Sequence, residues 1–260
     1  MSVEQLLTFI PAYVAVFFRV AAMMVFAPLF GSARVPQRLR VLLAAIISAG
    51  LASSVITRPV ALPSSLWMLT AGIAGEIVFG LAMGMVLSFV FIAVQWAGEM
   101  IGQQMGLNMS EVFDPQFGSG GSLVGELYFM VTLVIFLAIN GHHALLIGVK
   151  ESLISLPLMS VGMSAGLLDV IVGLFQASTT LAFQLAAPML VTMLVVDLAL
   201  GFVSKTMPQL NIMTAGMGVR SMIGLIVLIF GIGMTSDVIR GRLITAMDTV
   251  VAGYKTGLAH

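Results

Sequence analysis

Few side chains in this sequence could do chemistry, and their types narrow the choices at once. There is no cysteine, so disulfides, thiolate nucleophiles and cysteine metal sites are excluded. His142 and His143 are adjacent, with no H-E-x-x-H pattern, which makes a polar turn at a helix end the better reading than a metal site. No phosphate-binding G-x-x-x-x-G-K-[ST] loop and no G-x-S-x-G elbow occurs, and nothing pairs a serine with a histidine as nucleophile and base. The chain is therefore read as non-enzymatic, with no cofactor and no metal. What remains is Arg19, Glu76 and Asp197, three ionisable residues inside apolar runs. A charge at the centre of a bilayer costs about 2.5 kcal/mol or more, so each must pair, face water or lie outside the hydrocarbon. Two readings fit them: a polar pathway or proton relay, and ion pairing at a subunit interface. Glu99, Glu126 and Asp169 lie nearer the segment ends and need less explanation.

A second concentration of unusual residues runs from Trp96 to Gly125, WAGEMIGQQMGLNMSEVFDPQFGSGGSLVG. Gly98, Gly102 and Gly106 recur on a helical rhythm; a Phe113-Asp114-Pro115 corner follows; a Gly/Ser run closes it from Gly118 to Ser122. Glu99, Glu111 and Asp114 lie here without any Lys or Arg, and Met100, Met105 and Met109 add soft apolar surface. The stretch suits a segment that lines or obstructs a passage, and equally a glycine-rich connector.

The elements that must position these residues are set by composition. The 260 residues are 60% hydrophobic and 8% charged, with 11 bases against 11 acids, and the mean hydropathy is +1.13. Soluble domains carry about 25% charged residues. So few charges cannot cover a water-facing surface, and the chain reads as an all-α, multi-pass membrane protein. The balanced charge gives no nucleic-acid footprint. Glu4 stands where a signal peptide would carry a base, so the first apolar segment is expected to be retained.

In chain order, the first apolar stretch runs from Leu6 to Phe30 and ends near Pro28; a basic loop with Arg34, Arg38 and Arg40 around Pro36 follows. Val41 to Ile56 is short for a span, and Pro63-Ser64-Ser65 looks like a helix start. From Leu66, helical character can continue to Gln104, about 60 Å of helix. That excess predicts either a helix projecting beyond the bilayer or a break near Gly72-Gly75 or Gly80-Gly84. Leu123 to Ile139 ends at Asn140-Gly141-His142-His143; Ala144 to Gly166 reads as an amphipathic or re-entrant piece. Leu167 to Val203 is again over-long, with Pro188 as the expected kink. Ser204 to Gly218 reads as a turn, Val219 to Ile239 as the last apolar segment, with Arg240 and Arg242 beyond it. The tally is about six candidate spans. The positive-inside rule does not orient them, because Arg34, Arg38, Arg40, Lys205 and Arg220 balance Arg58, Lys150, Arg240, Arg242 and Lys255. Hairpins that dip in and return would explain both the tie and the over-long helices.

The segment AGEMIGQQMGLNMSEVFDP, from Ala97 to Pro115, resembles the middle of the FliR/SpaR/YscT family of bacterial type III export. The Arg34-Val35-Pro36 loop, the Asn140-Gly141-His142 turn, the Met207-Pro208-Gln209-Leu210-Asn211 turn and the chain length agree with it. The resemblance runs over essentially the whole chain, and its turns favour the flagellar branch over an injection system. It implies a pore subunit of the export gate, in the bacterial inner membrane at the flagellar basal body. FliP and FliQ would be its partners, FlhB a further one, and flagellar proteins the exported substrates. It implies long kinked helical hairpins: a FliP-like front part over 1–175, and a FliQ-like part over 176–260, whose hairpin runs from about Gln176 to Asp248. It also implies that a loop over about 106–122 plugs the closed pore. Gly106, Leu107, Asn108, Met109, Phe113, Asp114, Pro115, Phe117 and Gly118 would form plug and hinge, with Glu99, Gly102, Gln104 and Met105 as packing or gating residues. A secondary transporter, with Arg19, Glu76 and Asp197 as ion sites, is the competing class; it requires matched helix breaks in the two halves, and Pro28 and Pro188 are not a convincing pair.

Overall fold

The computed structural model describes residues 3–31, 35–55, 65–107, 122–156, 158–159, 166–207 and 212–252. Among them every regular element is a helix: α1 (Val3–Phe26), α2 (Gln37–Val55), α3 (Leu66–Gln104), α4 (Leu123–Ala138), α5 (Gly141–Ser155), α6 (Gly166–Thr206) and α7 (Ile212–Ala252). Three described helices, α3, α6 and α7, are long and apolar enough to cross a membrane by length and composition, and α4 with α5 adds a fourth span if the bent pair is counted as one. The protein is an all-α membrane protein. Among the described residues this gives three or four spans where the sequence suggests about six; α1 is searched only over Ile10–Phe26, and α2 and α5 do not count alone.

Several boundaries differ from the sequence reading. α3 is one unbroken helix of 39 residues, and the break expected near its glycines is absent. α6 runs from Gly166 to Thr206 with Pro188 inside it, a few residues longer than the Leu167 to Val203 segment. Ala144 to Ser155 belongs to a regular helix that already begins at Gly141. The turn expected over Ser204 to Gly218 is shorter, since α6 reaches Thr206 and α7 resumes at Ile212. Arg240 and Arg242 lie inside α7 rather than after it, because a helix has no reason to stop where its apolar surface stops.

The chain divides into two units. The first comprises 1–89, 137–174 and 243–260. In it α1 packs against α2, with Tyr13 Oη donating to the Ala45 carbonyl at 3.1 Å. α1 and α3 approach through glycine: a methyl on Gly84 would lie 2.5 Å from the Met23 carbonyl oxygen and 3.0 Å from Phe26 Cβ. Gly148 of α5 admits Val250 of α7 in the same way, at 2.7 Å from where a Cβ would stand. Ala12, Val16, Val20, Met23, Leu87, Leu145, Val149 and Leu243 fill the interior.

The second unit comprises 90–136 and 175–242. Phe91 meets Phe129 and Phe136 edge-on at 5.5 and 5.8 Å between ring centroids, and Trp96 meets Phe175 at 6.3 Å. Such edge-to-face pairs suit the ring quadrupoles. Ser122 caps α4, its Oγ accepting from Gly125 N–H at 3.4 Å. The hydroxyls of Thr179, Thr180, Thr192 and Ser236 each donate to the carbonyl four residues earlier, at 2.6–2.9 Å, which lets polar side chains stand on apolar helices. The apolar windows of α6 and α7 are only 22% and 17% buried, so most of that hairpin's surface is left for lipid or for other proteins.

Candidate functional site

The sequence points to the end of α3, and the structure gives that end a defined geometry. The Gly106 N–H donates to the Gln103 carbonyl at 3.0 Å, and the Leu107 N–H to the Gly102 carbonyl at 3.1 Å. Gly106 has φ +74°. These are the two crossed bonds of a Schellman turn with its left-handed glycine, a position that a residue with a Cβ enters only under strain. Gly106 therefore ends the helix and redirects the chain.

The residue before it is held from outside the helix. Met105 is buried, at 2% exposure. Its side chain lies in a notch on α7, where Gly224 has no Cβ: a methyl there would run into Met105 Cγ and come within 2.8 Å of Met193 Cε on α6. The Met105 carbonyl, beyond the reach of further helical N–H groups, accepts from Ser221 Oγ of α7 at 2.8 Å. That hydroxyl is also 3.0 Å from its own helix's Met217 carbonyl, so it keeps a partner if Met105 leaves. One shared neutral hydrogen bond contributes about 0.5–1.5 kcal/mol, and a methionine is unbranched and easily repacked. The joint is specific but weak.

The other gating candidates divide around it. Gly102 is buried, Glu99 is half-buried beside Gly125, and Gln104 and Leu107 are exposed. The remaining plug and hinge candidates, Asn108, Met109, Phe113, Asp114, Pro115, Phe117 and Gly118, lie outside the described residues. Gly224, Ser221 and Met193 were not singled out from the sequence. A glycine three residues after a serine in an apolar helix is common, and nothing local links either to Met105, over a hundred residues earlier.

The buried ionisable residues are sorted into two pairs. In the first unit Arg19 and Glu76 form an ion pair, Nε to Oε2 at 2.5 Å, with neither side chain exposed. Arg19 Nη1 donates to Ser152 Oγ at 3.1 Å, and the guanidinium lies 4.9 Å from the centroid of the Phe79 ring. Glu76 Oε1 accepts from the Met159 N–H at 2.9 Å, where Met159 is in the left-handed region at φ 62°. Within this network Arg19 Nη2 has no hydrogen-bond partner among the described residues. The network ties α1, α3, α5 and the segment after α5 to one point. Asp197 instead meets Arg220 of α7, Oδ1 to Nη2 at 2.7 Å, with 39% of each side chain exposed. This contact is an ion pair without hydrogen-bond geometry. His142 and His143 open α5 with their rings 4.3 Å apart. Among the described residues no group of three or more metal-binding side chains occurs.

Comparison with known proteins follows the same lines. The profile of the family described as Bacterial export proteins, family 1, matches residues 10–245. The flagellar biosynthetic protein FliR of Bacillus subtilis is 32% identical over 251 residues, covering 95% of this chain and 96% of its own. The proteins of the same name from Aquifex aeolicus and Escherichia coli are each 29% identical, over 89% and 85% of this chain and 87% and 84% of theirs. Membrane-length apolar helices and a match to flagellar biosynthetic proteins over nearly the whole length make this a membrane-embedded component of flagellar export, and the chain belongs to the FliR family.

Proposed function

We propose that the chain is a non-enzymatic pore subunit of the flagellar export gate in the bacterial inner membrane, building the protein conduit with FliP and FliQ, next to FlhB, for exported flagellar proteins. The observation that carries this reading is the near-complete match to flagellar biosynthetic relatives, 95% of this chain in the Bacillus subtilis case. The same match favours the flagellum over an injection system. A FliP-like part over 1–175 and a FliQ-like part over 176–260 accord with the long α6 and α7, whose surfaces are mostly unpartnered within the chain.

The segment 106–122 is the proposed plug. What supports it is its point of departure: a 39-residue helix is stopped by a left-handed glycine, and the residue before it, Met105, is seated on α7. The transporter reading loses its acid in the first unit, because Glu76 is fully occupied by Arg19 and the Met159 N–H. Deleting 106–122 in the assembled apparatus is expected to leak ions or small solutes while the complex still assembles. An intact permeability barrier in that deletion would overturn the plug.

A further inference from the structure

We propose that Met105, Gly224 and Ser221 form a catch between the end of α3 and the α6–α7 hairpin, closed in this structure, which opens when protein passes. The proposal rests on the reading of the chain as a subunit of a conduit that closes. Its grounds are the joint itself. Here one methionine enters one glycine notch, and one carbonyl at the helix terminus takes one hydroxyl. Opening leaves no strongly unsatisfied group on α7, because Ser221 Oγ also reaches the Met217 carbonyl. The released carbonyl is at a helix end, where water or a neighbour replaces the lost bond. Immediately after the seat comes Gly106, at φ +74°, with no described residue within 4 Å of where its Cβ would be. A glycine in the left-handed region thus adjoins a weak, reversible contact. The Arg19–Glu76 network has the opposite character: buried, charged and costly to open.

The chain has no cysteine, so an introduced pair is unique. In cells whose native copy is replaced by the full chain carrying Met105→Cys and Gly224→Cys, a membrane-permeant thiol oxidant should close an intramolecular disulfide. Secretion of flagellar proteins should then be lost and should return with reductant, while each single cysteine variant exports normally under the same oxidant. A disulfide that forms while export continues undiminished overturns the catch, as does failure of the disulfide to form in the assembled complex. If the reduced double variant does not assemble, Gly224→Ala decides. Its methyl unseats Met105, so small-solute leakage should rise, and adding Met105→Ala should leave the barrier open. An unchanged barrier in Gly224→Ala overturns the proposal. The two readings separate cleanly. A leaking 106–122 deletion with a disulfide that does not stop export removes the catch alone, whereas a tight deletion with an arresting disulfide removes the plug alone.

Discussion

Arg19 of α1 and Glu76 of α3, 57 residues apart, meet at 2.5 Å with no exposed surface on either side chain. The pair closes a ring of contacts through Ser152 and the Met159 N–H. Their proximity makes the structure depend on both or neither. Removing one charge leaves the other buried and uncompensated, which costs about 3–5 kcal/mol, whereas replacing both with apolar groups of similar size is often neutral. Arg19→Met and Glu76→Met should each sharply lower the thermal stability of the purified complex and its level in the membrane. The double variant should recover most of the loss. Equal losses in the single and double variants would mean that something other than charge pairing holds this point.

Glycines in these helices should divide by what a Cβ would meet. A methyl on Gly80 would run into the Arg19 carbonyl and come within 2.9 Å of Ala22 Cβ, while one on Gly50 would meet no described residue within 4 Å. Backbone atoms cannot move aside as the end of a side chain can. Gly80→Ala should therefore cost about 1–3 kcal/mol through overpacking. Gly50→Ala should leave stability unchanged or raise it by up to about 1 kcal/mol through helix propensity. Unfolding temperatures of the two variants, measured side by side, test the division; equal values for both would refute it.

The reach of the sequence is visible in these residues. The 39-residue length of α3 was legible, because an uninterrupted apolar run with a serine before it and glycines after it has few other ways to fold. The end of α3 near Gln104 was legible for the same local reason, and Gly106 at φ +74° closes it. The burial cost of Arg19 and Glu76 was legible too, but their partnership was not, since no local spacing connects α1 to α3. The sequence leaves open a break in α3 at its glycines and ends the last apolar segment before Arg240. In the structure Gly80 and Gly84 serve close approach instead. Arg242 remains within α7 and donates to Gln184 Oε1 of α6 at 3.0 Å. Tertiary contact decided each of these, and a single sequence does not carry it.

Asp197 and Arg220 make a milder case. Each side chain is 39% exposed and the contact lacks hydrogen-bond geometry. Pairs of this kind contribute about 0–1 kcal/mol when water reaches them. Asp197→Asn and Arg220→Gln should therefore each change stability by no more than about 1 kcal/mol, with a coupling of the same order in a double-mutant cycle. A loss of about 2.5 kcal/mol or more from either single change would place this face of the hairpin in hydrocarbon rather than against water or polar protein.

The contact between α3 and α4 makes an asymmetric prediction. A methyl on Gly98 would lie 2.6 Å from Gly125 Cα and 2.8 Å from both Gly125 N and the Val124 carbonyl oxygen. All three are backbone atoms near the start of α4, where Ser122 already fixes the first turn. A methyl on Gly125 would first meet Glu99 Cγ, at 3.2 Å, with the Gln95 carbonyl oxygen at 3.3 Å. A glutamate side chain can rotate by a few tenths of an ångström, and a helix backbone cannot. Gly98→Ala should thus separate α3 from α4 and reduce assembly, while Gly125→Ala, whose backbone contact is only to the Gln95 carbonyl oxygen at 3.3 Å, should reduce it less. Two glycines that face each other are usually taken as equivalent. Measured levels of assembled complex for the two variants would show whether the approach belongs to both or, as the geometry requires, mainly to Gly98.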